Sequence, residues 1–162
     1  MKTRQAGITT VEFAVVGLVL MIIIFAVVEF ARAMWVANAL TEVTRRAARV
    51  ATVCPVNDPR AVQVGLFSDE FGSGTIVNGV TSDNILIEYL DEAGGQVVVP
   101  GRGSAGFEEA FLQIRYVRAR LVNYEHRLII PLLLPSFPMP GFDAILPRES
   151  LGITREGEFC KT

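Results

Sequence analysis

The chain has 162 residues, 51% of them hydrophobic, with a net charge of −2 and two cysteines. That length suits one domain of ordinary size, and the near-neutral balance, without a basic stripe interleaved by aromatics, excludes general attraction to nucleic acid. The apolar residues crowd toward the N-terminus, so the average describes neither end of the chain.

Lys2 and Arg4 open the chain, and from Phe13 to Val28 there is no charged residue. With Ile8 to Glu12 in the same helix, the apolar length reaches roughly 20 residues, matching the ~30 Å hydrocarbon thickness of a bilayer. One membrane span is predicted. The two basic residues ahead of it put the N-terminus in the cytoplasm and the rest of the chain outside. A removable secretory signal cut at Ala37-Asn38-Ala39 is the alternative. Against it, a signal's apolar core is ~7 to 15 residues, and the helical pattern runs on with neither Pro nor Gly until Pro55. Glu12 is the one ionisable residue near the start of the greasy run. Thr9-Thr10-Val11-Glu12 fits an S/T-x-x-E capping box, in which Thr9 and Glu12 satisfy N–H groups at a helix start.

Glu29 to Val53 is rich in helix formers, with Glu42 spaced to pair with Arg45 and Arg46. Span and stalk are predicted to be one helix of roughly 45 residues, ended at Cys54-Pro55. Arg45, Arg46 and Arg49 near its end complement the helix dipole; a solvated last turn is the plainer reading and a basic binding patch the sharper one. Met34 and Trp35 fall just outside the bilayer, where tryptophan either anchors at the interface or packs against a head domain.

Beyond Pro59 the composition turns to Gly, Val and Ile. A short helix is expected over Arg60 to Phe71, closed by Gly72-Ser73-Gly74. "NILIEYLD", "EAGG" and "QVVVP" read as a hairpin with Gly94-Gly95 at its turn. Phe111 to Tyr124 reads as a longer strand whose polar parity changes near Val117, which predicts a bulge or bend there. "LIIPLLLPSFPMPG" is apolar but broken by four prolines, so it is expected as a loop and not a second span. It either covers the sheet or faces a neighbouring subunit or the membrane. Asp143 to Leu151 supplies a last strand. No internal repeat is present. The expected fold class is α+β, a long N-terminal helix followed by a small antiparallel-sheet head.

Catalysis is not predicted: His126 is the only histidine, and "NYEHRL" contains no nucleophile motif. One histidine and two cysteines lack the paired spacing of a zinc site. "GRGSAG" lacks the Gly-Lys-Ser/Thr ending of a phosphate loop and reads as a turn. No cofactor and no metal are expected. In an oxidising compartment the pair Cys54 and Cys160 favours a disulfide over two free thiols; it would close a loop of roughly 100 residues and stabilise by ~4 to 5 kcal/mol in the chain-entropy model.

The basic hexapeptide, Gly7, a glutamate fifth after that glycine and a following span resemble a type IV prepilin leader. The resemblance is closest to the TadE-like pseudopilins (minor pilins) of tight-adherence, or type IVc, pilus systems, carried by "RQAGITTVEFAVV", "VEFAR" and "ILPRES". Family members often have proline where Leu18 stands and glycine where Ala31 stands. The resemblance implies a leader at 1–7 removed by prepilin peptidase between Gly7 and Ile8, a transmembrane helix at 8–28, a stalk at 29–54 and an extracytoplasmic head at 55–162. It implies insertion in the bacterial inner membrane among lipid, with other pilin subunits and the assembly platform as partners. Glu12 then becomes the fifth mature residue, able to pair with the freed α-amine of Ile8 in a neighbouring subunit; pairing within one chain is also open, since residues four apart meet on a helix. A membrane-tethered envelope domain that is never cut and binds a ligand or protein is the competing reading, and an anchored enzyme the third.

Overall fold

A computed structural model describes residues 6–68, 75–129 and 136–152, with side chains from residue 9 onward. Helix α1, Ala6–Val53, runs unbroken through Gly17, Leu18 and the Ala37–Ala39 stretch. It has two chemically different halves. Its most apolar 18-residue window has a mean hydropathy of 3.0 and none of it is buried, so this is no core helix of a soluble domain. From Val36 onward the spacing changes the outcome: Val36, Leu40, Val43, Ala47 and Ala51 recur at three- and four-residue steps and are buried on one face.

That face lies on a four-stranded antiparallel sheet of order β2-β1-β3-β6, with β1 Ile85–Leu90, β2 Gln96–Val97, β3 Tyr116–Leu121 and β6 Asp143–Pro147. The β1–β2 hairpin is as expected, with Tyr89 opposite Val97 and Gly94 at φ 82° in the turn, a conformation costly for residues with a Cβ. Alternation sends Ile85, Val117, Ala119 and Leu121 toward α1. On the opposite face Glu88 stands across from Arg118. The Arg118 Nε donates to its carboxylate at 2.6 Å and an Arg120 guanidinium nitrogen lies at 3.9 Å, which is how a nearly buried carboxylate is tolerated. The α+β class agrees with the sequence reading; the last strand starts at Asp143 as expected but ends at Pro147 and not at Leu151, because the residues after it turn back onto the end of α1.

Three further expectations are corrected. The short helix after the stalk, α2, covers Arg60–Gly65 and not Arg60 to Phe71; Phe67 already has φ 61°, which no helix continues, while Gly72-Ser73-Gly74 lie outside the described residues. At Gly65 a Cβ would sit 2.7 Å from the Ala47 Cβ and 3.1 Å from the Val43 carbonyl oxygen, so glycine and alanine here permit α2 to cross α1 closely.

The second correction is at Phe111. Instead of a strand bulged near Val117, helix α3, Phe107–Gln113, precedes β3. Phe107, Ala110, Phe111 and Ile114 are spaced for a helical stripe, and Glu108 and Glu109 in the first turn suit the dipole. The change of parity marks a helix giving way to a strand, with Ile114 already extended. Third, part of the proline-rich stretch is a strand: β5, Ser136–Pro138, pairs with β4, Glu125–Arg127, in a separate two-stranded ribbon. Proline is admissible there because the ribbon has free edges. Residues 130–135 of the expected loop lie outside the described residues, whereas 128–129 and 139–141 flank the ribbon outside its strands.

Candidate functional site

The chemistry of this chain is distributed along α1 in three places: an exposed apolar first half bearing Glu12, a charged junction at Glu29, and a capped C-terminal end. Along the first half, side chains on every face are open, from Phe13 at 79% exposure to Phe30 at 68%. Such a cylinder is stable only in a medium that wets hydrocarbon, or against other helices. It fits a single-pass membrane protein.

Glu12 is exposed on this cylinder. In the uncut chain the helix is already under way at Ala6, so Thr9 and Glu12 lie inside it and not at its cap. The capping box read from the sequence is corrected for this form, because N–H groups that far into a helix have carbonyl partners within the helix. Gly7 and Ile8 lie on the same first turns, in helical conformation.

At the junction, "VEFAR" takes on a defined role. Glu29 and Arg32 are one turn apart, and Arg32 Nε donates to Glu29 Oε1 at 3.0 Å. The Arg32 guanidinium also donates to the Arg127 carbonyl oxygen, while the Ile129 amide donates to Glu29 Oε2 at 3.3 Å. One acid and one base of the helix thus hold the backbone of the β4 segment. His126, 1% exposed, lies behind them with Nε2 3.8 Å from Glu29 Oε1 and its ring 5.2 Å from Phe137. Among the described residues its buried Nε2 has no hydrogen-bond partner. Burial and then the Arg32 charge push its pKa below the ordinary value, against an opposing pull from Glu29. The histidine is a packed residue between the Phe137 ring and the Glu29 carboxylate. Sequence reading named "VEFAR" but not its contacts, since 95 residues separate Arg32 from Arg127. The signal that could have found it is the acid–base pair set one turn apart at the end of an uncharged run.

At the far end, the last carbonyls of α1 have no intrahelical donors. The turn following β6 supplies them. Glu149 and Leu151 amides donate to the Thr52 carbonyl at 3.3 and 3.1 Å, and the Gly152 amide and Ser150 hydroxyl donate to that of Val53 at 2.7 and 3.0 Å. Arg148 donates to the Phe111 carbonyl at 2.9 Å. The last two residues of "ILPRES", Glu149 and Ser150, thus form with Leu151 and Gly152 the C-terminal cap of the stalk. Cys54 is buried beside this turn; Cys160, its expected partner, lies outside the described residues.

The arginines of the stalk divide. Arg46 stacks 3.9 Å over the Phe67 ring, and Arg45 is 4.0 Å from Glu42 with both largely exposed, a pair worth little in water. Arg49 is exposed one turn beyond Arg45. Trp35 is 56% exposed and stays out of the head's core. Among the described residues no group of three or more His, Cys, Asp or Glu is placed to hold a metal ion.

Residues 7–49 match the family model described as TadE-like protein. The TadE-like character read from the sequence is thus found over that stretch, which starts at Gly7 and ends within the stalk; the residues before Gly7, the "ILPRES" stretch and the rest of the head lie outside it. The family is a structural pilus component and not an enzyme family. No curated protein and no solved structure matches the chain.

Proposed function

We propose that this chain is a minor pilin, or pseudopilin, of a Tad-type (type IVc) pilus, inserted in the inner membrane with its head on the outer side and cut by prepilin peptidase between Gly7 and Ile8 before assembly. The observation that carries this reading is the TadE-like match beginning at Gly7, on a helix whose most apolar window is not buried among the described residues. Trimming leaves a chain that starts at Ile8. Thr9 is then close enough to the new end to cap it together with Glu12, and the α-amine, ionised in good part near neutral pH, lies four residues from the Glu12 carboxylate. An isolated carboxylate among lipid or packed helices is costly; an amine, its own or a neighbouring subunit's, offsets it. Glu12 becomes the handle by which one apolar helix docks sideways on another.

A secretory cut before Leu40 is a poor fit to this helix. It would remove Val36 from the core and sever α1 next to Leu40, which is fully buried in the head. In the cut, membrane-external protein the Cys54–Cys160 bridge would tie the tail to the capped end of the stalk. The chain works as a substrate of the peptidase and a building unit beside other pilin subunits and the assembly platform.

Intact mass of protein recovered from its native host tests this: a chain starting at Ile8 is expected. Met1 retained in assembly-competent material would replace the reading with an uncut tether, and Leu40 as first residue would replace it with a secreted head. Glu12→Ala is expected to insert in the membrane normally and to lose most co-purification with partner subunits; unchanged recovery of partners would remove the assembly role of Glu12.

A further inference from the structure

Val28 is the last residue of the uncharged run, Glu29 follows immediately, and at 1.5 Å rise per residue Arg32 stands only about 6 Å farther along the axis. The interfacial layer on each side of the hydrocarbon is about 5–8 Å thick, so Glu29 and Arg32 occupy it. Both side chains are bonded to the β4 segment: Arg32 to the Arg127 carbonyl and Glu29 to the Ile129 amide. These bonds fix the depth of residues 127–129 as well. Arg127 is exposed there, and Ile129 is 71% exposed, an apolar side chain turned outward beside the point where the helix leaves lipid.

We propose that the β4–β5 ribbon rests on the bilayer surface, with the Arg127 guanidinium among lipid phosphates and the Ile129 side chain against the upper acyl chains. The occupant of this surface is lipid, because the surface is continuous with the lipid-facing helix and presents a cation beside an apolar group at headgroup depth. The inference rests on the single-pass reading. Its consequence is mechanical: a helix alone would let the head rotate and tilt, whereas a second contact sets the head's azimuth before the subunit meets a neighbour.

The test uses the full chain in nanodiscs of phosphatidylethanolamine and phosphatidylglycerol, with Ile and Val methyls labelled for nuclear magnetic resonance. Ile129 methyls are expected to show cross-peaks to lipid protons. Val98, 82% exposed and adjacent to Val97, which packs with Ala51 about 33 Å up the helix axis from Glu29, is expected to meet water alone. Ile22, Ile23 and Ile24 serve as the reference for the span. Lipid cross-peaks at these three without any at Ile129 would overturn the ribbon contact and leave the span intact; their absence at all four would overturn both. In a mixture of labelled and unlabelled chains, Ile129 cross-peaks to a second copy in place of lipid would overturn the proposal in favour of a protein neighbour.

Discussion

The two halves of α1 are similarly helical yet answer to different solvents. Phe13 to Phe30 holds large apolar side chains on all faces and buries none of them among the described residues, whereas the stalk buries a single face on which Val36, Leu40 and Val43 give way to the small Ala47, Ala48 and Ala51. Bulk suits a helix that meets fluid lipid, because lipid adapts to any contour. Small residues suit a helix laid on a sheet and crossed by another helix, because close approach there is set by backbone and Cβ atoms. Apolarity alone therefore does not say what a segment packs against; its distribution around the helix does.

Paired truncations would break this comparison most directly. Leu40→Ala, at a site of 0% exposure, should destabilise the head by about 2–5 kcal/mol, whereas Leu18→Ala should leave the head's unfolding midpoint within the scatter. Urea unfolding of the full chain in detergent micelles, followed by the near-ultraviolet signal of the head's tyrosines, measures both; equal losses would mean that the two halves share one cooperative core. A smaller effect is expected at the α1–α2 crossing. Gly65→Val forces a Cβ into a 2.7 Å contact and should cost about 1–3 kcal/mol by overpacking, read in the same experiment.

The smallest effect is pH-dependent and sharpens the boundary between the halves. His126 has a folded pKa below its unfolded value of about 6.5. At high pH both states are neutral there and the group contributes no pH dependence; as pH falls through 6.5 the unfolded chain binds the proton first, so stability drops until the folded pKa is reached. Glu29 and Arg32 are the charged groups facing it. The unfolding midpoint should decline between pH 7.5 and pH 5.5, and His126→Phe should flatten part of that decline. An unchanged slope would assign it to carboxylates elsewhere.

Much of the fold was legible because its signals are local. The uncharged run, the Cys54-Pro55 stop, and the Gly94 turn between its two hairpin strands each sit within a few residues of the structure they dictate. Phe111 to Tyr124 was misread because helical and extended spacings abut there, and a window spanning both sees one flawed strand. At the candidate site, the TadE-like pattern was legible from Gly7 onward, but the capping box failed for the uncut chain because the box pattern does not require that the helix start at its threonine.

By itself the sequence determined that an uncharged helix of bilayer length leads into a stalk and an α+β head, since length, charge and periodicity act along the chain and need no partner. Tertiary structure alone decided that Glu29 and Arg32 grip the β4 segment, that the last two residues of "ILPRES" help cap the stalk, and that Gly65 meets Ala47. These contacts join residues far apart in sequence, where hydrogen-bond donors and acceptors can be matched only after the chain has folded back upon its own helix.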